Sequence, residues 1–297
     1  RLRGEESIRD ESFVKEFADK LNLPFFCEQK DVKAYAKKNR RSIEESGRMA
    51  RYHFFKRIAK SHGYSKIATG HTKGDNAELV MMNLLRGSGP KGLSGIPPIR
   101  DKKYIRPLIQ VSKNQILDFL KNENQDFVFD SSNRDMKYLR NKVRNQLIPH
   151  LQSEYNPEFI DALDRLSSIL RQEEEFWEEK TEKAFHDCLV KTEPACIVLS
   201  KSLMKALHPA LLNRVFRKAI LKVKKNLKRI SLVHINDMAE FCFNTSSGIS
   251  LDLPGQIRIY KNKNTIIIKK EEGLLREIGK KEKKTRQRLQ KKQGKES

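Results

Sequence analysis

The short apolar run Lys66-Ile67-Ala68-Thr69 ends in Gly70-His71-Thr72-Lys73-Gly74-Asp75-Asn76-Ala77-Glu78. That stretch continues through an apolar segment, Leu79–Leu85, into Arg86-Gly87-Ser88-Gly89-Pro90-Lys91-Gly92-Leu93-Ser94-Gly95. The order is buried strand, polar loop, helix, glycine loop. A segment that only filled a core would not gather a histidine, two acids, an arginine and so many glycines. Presented at the carboxyl end of a strand, such a set is how an α/β sheet builds a ligand site.

The flanking sequence agrees with an α/β reading. Phe13, Phe17 and Leu21 recur at i, i+4 and i+8, which predicts an amphipathic helix ending near Asn22, and Pro24–Glu28 then reads as a strand. Asp31–Lys38 predicts a short helix. Ser42-Ile43-Glu44-Glu45 is a capping box for a longer one that Gly63 stops. Arg48, Arg51 and Tyr52 lie on its early turns, as a solvated basic face or as phosphate contacts. Asp75 and Glu78, three apart at a helix start, share one face. They serve as dipole-favourable caps, or as a carboxylate pair for Mg²⁺ or the ammonium groups of an amino acid. The loop Arg86-Gly87-Ser88-Gly89 offers backbone N–H groups to a phosphate.

Tyr104–Leu108 predicts an extended segment leading to Arg106-Pro107. A capped helix follows, with Ile116, Leu117 and Leu120 inward, and Phe127–Phe129 reads as a last strand. Asp130-Ser131-Ser132-Asn133 has turn chemistry, and Arg140 and Arg144, one helical turn apart, present a basic face. From Asn156-Pro157 the pattern becomes helical: a long helix over 158–189, a basic helix over 209–224 with Arg214, Arg217 and Lys218, and a further helix over 231–243. Cys196–Leu199 reads as a separate strand, the two-residue periodicity after Gly248 predicts a small β meander or hairpin, and 269–297 a basic tail. This organisation is 1–152, 153–268 and 269–297.

Sixty-one Lys and Arg against 38 Asp and Glu leave a formal charge of +23, which points to a polyanionic partner, nucleic acid before membrane. No apolar run approaches the roughly 20 residues of a membrane span. Four scattered cysteines with no CxxC pair argue against a zinc or iron–sulfur site and fit a cytoplasmic protein.

Three motifs in order carry a resemblance: Leu2-Arg3-Gly4-Glu5-Glu6-Ser7, the His71–Glu78 and Arg86–Gly95 block, and Asp130–Arg144 with Leu147-Ile148-Pro149. Together with Arg106-Pro107-Leu108 and Leu251-Asp252-Leu253-Pro254-Gly255, they resemble the tRNA(Ile)-lysidine synthetases of the PP-loop (N-type ATP pyrophosphatase) superfamily. The resemblance implies a partial Rossmann-like PP-loop domain with a parallel sheet, then a mostly helical tRNA-binding domain. It implies a ligase that uses ATP, with Mg²⁺, to adenylate the wobble cytidine of the CAU anticodon of tRNA(Ile) and joins L-lysine to it. On that reading Asp75, Glu78 and His71 handle the lysine. Arg48, Arg51, Arg86, Gly87, Ser88 and Gly89 face ATP, while Asn133, Arg140, Asn141, Arg144, Arg214, Arg217 and Lys218 face the tRNA.

Two departures qualify it: Gly74 stands where the family usually has a second acid, and Asn76 where it has glutamine. The family's Ser-Gly-Gly-x-Asp-Ser loop is absent from these 297 residues, and the chain opens at Arg1. The expectation is a fragment whose first strands and ATP loop precede Arg1, inactive on its own. A non-catalytic tRNA-binding relative and a PP-loop tRNA thiolase are the alternatives. Oligomeric state is unreadable at this level, with a homodimer as one candidate.

Overall fold

The computed structural model of the chain describes residues 5–39, 42–129, 138–244 and 250–273. Asn133 and the rest of the Asp130–Asp135 motif, the Leu2-Arg3-Gly4 segment and most of the basic tail lie outside them. The contacts gather into two units, 1–174 and 175–297.

The first unit is α/β. Helices α1 (Glu5–Lys20), α2 (Val32–Asn39) and α3 (Ile43–Ser61) precede β1 (Ile67–Ala68), then come α4 (Lys73–Leu85) and α5 (Pro90–Leu93). Strands β2 (Ile99–Arg100) and β3 (Tyr104–Ile105) lead to α6 (Lys113–Asn122), and α7 (Leu139–Lys142) runs through a π-helical turn, Val143–Leu147, into α8 (Ile148–Glu154). The sheet order is β1-β3-β2, with β1 parallel and β2 antiparallel to β3. Both segments that read as flanking strands are extended chain outside the two sheets. Phe26 packs on the His62 ring, 4.4 Å between centroids, and Glu28 pairs with Arg57. Lys113 lies 5.8 Å over the Phe129 ring. Apolar extended sequence becomes a strand only where a neighbour takes its N–H and C=O groups.

Side-chain oxygens set the helix starts. Ser42, Thr72 and Ser112 each accept the N3 backbone N–H, and Asp75 and Gln115 complete reciprocal boxes. The inner face of α4 buries Ala77, Val80, Met81 and Met82 against Val143, Ile148 and Leu163.

Helix α9 (Phe159–Cys188) begins in the first unit and ends in the second. The second unit continues with β4 (Leu189–Glu193), β5 (Cys196–Ser200), α10 (Lys201–Lys205), α11 (Pro209–Lys224) and α12 (Leu232–Asn244). It closes with β6 (Ser250–Leu253), β7 (Ile257–Lys261) and β8 (Thr265–Lys270). The expected hairpin is part of a five-stranded antiparallel sheet, β4-β5-β8-β7-β6, because β8 pairs with β5 as well as β7. Alternation puts Ile197, Leu199, Ile266 and Ile268 inward, where they meet Val215, Phe216, Ala219 and Ile220 of α11. Lys269 and Lys270, expected in the tail, belong to β8. Among the described residues no helix is long and apolar enough to cross a membrane.

Candidate active site

Thr69–His71 follow β1, and Arg106 follows β3, so both lie at the carboxyl ends of adjacent parallel strands. Helix α4 starts there, and its first turn carries Asp75 and Glu78.

Both acids are fully engaged inside the protein. Asp75 Oδ2 accepts from the Thr72 N–H at 2.8 Å and its hydroxyl at 3.0 Å. Its Oδ1 accepts from Arg140 Nη2 at 2.5 Å and Arg144 Nη2 at 2.9 Å. Glu78, 3% exposed, accepts from Arg140 Nε at 2.6 Å through Oε2 and from Arg144 Nε through Oε1. The sequence reading sent the carboxylates to a substrate ammonium and the arginines outward to RNA or adenylate. In the structure they satisfy one another. Four donors use the roughly four lone-pair positions of Asp75. The π-helical turn after α7 keeps Arg140 and Arg144 on the face toward α4. Burial opposes the charge on Arg140, but the Glu78 hydrogen bond and the charges of Glu78, Asp75 and Glu44 outweigh it and raise its pKa. Asn141, between them, is buried.

His71 is half-buried, with Nδ1 3.0 Å from Thr69 Oγ1. Burial lowers its pKa below the usual 6.5; Asp75 opposes the shift, and the cations Arg106, Arg140 and Arg48 add to it. The imidazole is therefore neutral at pH 7 and able to take a proton.

Around it lies a cationic group that the sequence reading only half found. Arg48 sits 5.0 Å over the Tyr52 ring, and Arg100 sits 4.9 Å from Tyr52 and 4.6 Å from Tyr104, whose rings meet edge-on at 5.1 Å. Arg106, 4% exposed, donates to the Pro97 carbonyl, and the Tyr52 hydroxyl lies against it. Burial lowers the Arg106 pKa; Tyr52 opposes this, and Arg100 and Arg48 deepen it. Arg106 Nε and the Tyr104 hydroxyl are buried and have no hydrogen-bond partner among the described residues. Arg100 is paired with Asp101 at 3.5 Å, while the buried Arg106 and its unsatisfied donor suit an anionic group such as a phosphate. Arg106 was visible in the sequence only within Arg106-Pro107-Leu108, and its link to Tyr52 is a long-range one.

Other expected phosphate contacts have different work. Gly87 N–H donates to Leu84 O at 2.9 Å and Ser88 N–H to Asn83 O at 2.9 Å, with Gly87 at φ +71. That is a Schellman stop for α4, at the negative end of the helix dipole, and its N–H groups are spent on the helix. Arg86 is its C-cap, Gly89 caps only the single turn of α5, and Arg51 is exposed on α3. Gly87→Ala is therefore expected to cost about 1 kcal/mol in a denaturant titration, through left-handed strain alone. Turnover should be unchanged.

In the second unit, Lys218 is paired with Glu178 at 3.0 Å and with Glu182, and Arg214 lies 5.2 Å over the Trp177 ring. Within the expected open face of Arg214, Arg217 and Lys218, these two acids neutralise Lys218. No disulfide joins the four cysteines; burial raises the Cys188 and Cys196 thiols and pushes Cys242 up to about 12. Among the described residues no three His, Cys, Asp or Glu are grouped to hold a metal.

Residues 1–151 match the family described as PP-loop domain. The chain is 32% identical over 267 residues to a tRNA(Ile)-lysidine synthase of Clostridium tetani, covering 90% of this chain and 56% of that protein. Those from Caldanaerobacter subterraneus and Clostridium acetobutylicum are 33% and 31% identical over 270 and 283 residues, covering 57% and 60% of their lengths. The chain thus spans little more than half the length of the relatives it matches.

Proposed function

The chain belongs to the PP-loop domain family, and from that premise we propose that it works in an ATP-dependent ligase that joins L-lysine to the wobble cytidine of a tRNA with a CAU anticodon. The observation that carries this reading is the convergence on His71 of Arg48, Arg106, Arg140 and Asp75, each close enough to move its titration. The likeness to lysidine synthases supplies the substrates.

In the proposed reaction the C2 oxygen of cytidine attacks the α-phosphorus of ATP and pyrophosphate leaves. The ε-nitrogen of lysine then attacks C2, and AMP leaves with that oxygen. Free lysine is almost wholly ammonium near neutral pH, its reference pKa being about 10.4. Neutral His71 takes the proton that the ammonium must lose before its nitrogen can attack, and the second proton, shed as the C–N bond forms, goes to the departing AMP phosphate or to solvent. Arg48 and Arg106 lie against the phosphate that develops charge in both steps, with Arg100 held on the tyrosines behind them. Asp75 and Glu78 act as positioning residues that fix Arg140 and Arg144 beside the same centre. Mg²⁺ would be held by the nucleotide phosphates and would supply neutralisation of their charge there.

The test is incorporation of labelled lysine by the product of the open reading frame that encodes these residues. His71→Ala is expected to lower the rate about 100-fold. The unaltered protein should lose rate as pH falls through the lowered His71 pKa, and the variant should lack that limb. Stability has the same sign. The unfolded chain holds more protons between the two values, so the neutral histidine's contribution is full above 6.5 and disappears as pH falls through the folded pKa. An unchanged acid limb in the variant would remove His71 from the chemistry.

A further inference from the structure

Three arginines of the first unit, Arg48, Arg100 and Arg106, meet on one tyrosine. Tyr52 lies one turn after Arg48 on α3, so the two share a face. Arg48 Nη2 donates to the Tyr52 hydroxyl at 3.4 Å, and its guanidinium sits 5.0 Å over the ring. Arg106, in the chain after β3, hydrogen-bonds the same hydroxyl. Arg100 reaches the ring at 4.9 Å from β2. It is also the cross-strand partner of Tyr104 and lies 4.6 Å from that ring. The turn at Asp101-Lys102, φ +54 and +52, is closed by the Lys103 N–H on the Arg100 carbonyl at 3.1 Å and fixes the pairing. Tyr104, 2% exposed, meets the Tyr52 ring edge-on at 5.1 Å.

What holds these charges decides what they can do. Arg100 has Asp101 at 3.5 Å, with the acid mostly in water. Arg48 and Arg106 form no ion pair among the described residues; they rest on the Tyr52 oxygen, the Tyr52 face and the Pro97 carbonyl. The three cations repel, since Arg100 and Arg48 both lower the Arg106 pKa while Tyr52 opposes them. A carboxylate in the middle would hold the group together and cancel its charge. A phenol oxygen and a π face hold it together and leave the charge unspent.

We propose that Tyr52 is a positioning residue for the nucleotide phosphates: it gathers Arg48, Arg100 and Arg106 into one anion-binding group and sets the direction of Arg106. This role rests on the reading that the chain works in an ATP-dependent ligase. Tyr52 acts through the arginines and touches no reacting atom. Its hydroxyl fixes their direction and its ring their proximity, so two substitutions separate the parts.

The test is calorimetric binding of ATP and of adenosine by the product of the open reading frame that encodes these residues, with labelled-lysine transfer beside it. Tyr52→Phe keeps the ring and removes the oxygen that accepts from two guanidiniums. It should weaken ATP binding about tenfold, as loss of charge-assisted hydrogen bonds does, with the urea midpoint nearly unchanged. Tyr52→Leu removes the ring as well and should weaken ATP binding about 100-fold. Adenosine, which carries no phosphate, should bind both variants as it binds the unaltered protein. In transfer assays the KM for ATP should rise and the KM for lysine stay put. Tyr64→Phe, an exposed ring stacked on His62, is the control and should alter none of these. Equal losses for ATP and adenosine, or a lowered urea midpoint with ATP affinity kept, would make Tyr52 a packing residue and overturn the proposal. So would a Tyr52→Phe protein that binds ATP as tightly as an unaltered protein that transfers lysine. An unaltered protein that neither binds ATP nor transfers lysine would overturn the functional reading itself, and this role with it.

Discussion

Glu78→Gln is expected to lower the stability of the first unit by about 2 kcal/mol and lysine transfer by about 100-fold. The carboxylate is 3% exposed and accepts from two guanidiniums at once. Removing one partner of a buried ion pair costs about 3–5 kcal/mol. Arg140 and Arg144 keep 41% and 33% of their side-chain surface in water, which screens part of that loss. An amide can accept one of the two hydrogen bonds but turns a donor toward the other arginine. The rate falls because both guanidiniums lose their fixed direction beside His71, and small misplacements cost about 100-fold. Urea titration reads the first effect and labelled-lysine transfer the second. Glu78→Asp, which keeps the charge but shortens the reach, should recover more stability than rate. A Glu78→Gln protein with unaltered turnover would leave the four-residue cluster with a purely structural part.

Asn76→Ala is expected to cost about 3 kcal/mol, read by the same titration. This side chain is fully buried and makes three hydrogen bonds: Oδ1 accepts from the Ile96 N–H at 2.8 Å, and Nδ2 donates to Asp164 at 3.1 Å and Ser167 at 2.9 Å. Alanine leaves a buried backbone N–H and two side-chain oxygens without that partner, each worth about 1–3 kcal/mol before relaxation. The consequence reaches the site. Ile96 is followed by Pro97, whose carbonyl holds Arg106. Gly95, at φ +68, cannot carry a side chain, because a Cβ would lie 2.1 Å from Asn76 Oδ1. Asn76, expected from the sequence to be a departure from the family pattern, is thus the strut between α4, α9 and the loop that aims Arg106. Asn76→Gln should not restore it, since the longer amide has no room beside Gly95.

What could be read from sequence was local. Capping boxes at Ser42 and Ser112 announced their helices, and the switch to a two-residue period announced β6–β8. The α/β class followed from the strand before His71. Pairing was not readable: Pro24–Glu28 and Phe127–Phe129 have strand composition, but hydrogen-bonding partners decide strands and composition does not name them. Gly87 was ambiguous for a related reason. A left-handed glycine serves an anion cradle and a helix stop equally, and only the two bonds back to Asn83 and Leu84 tell them apart. Long-range electrostatics was the least legible. Nothing near Lys218 in sequence reveals that Glu178 and Glu182 neutralise it, and nothing near Arg106 reveals Tyr52.

The most direct measurement is transfer of labelled lysine to tRNA by the product of the open reading frame that encodes these residues, with the wobble base as the variable. The account predicts label on the CAU-anticodon tRNA, none when the wobble cytidine is replaced, and one AMP and one pyrophosphate for each lysine joined. Lysine-independent modification of the tRNA, or AMP formation with no label at the cytidine, would contradict it.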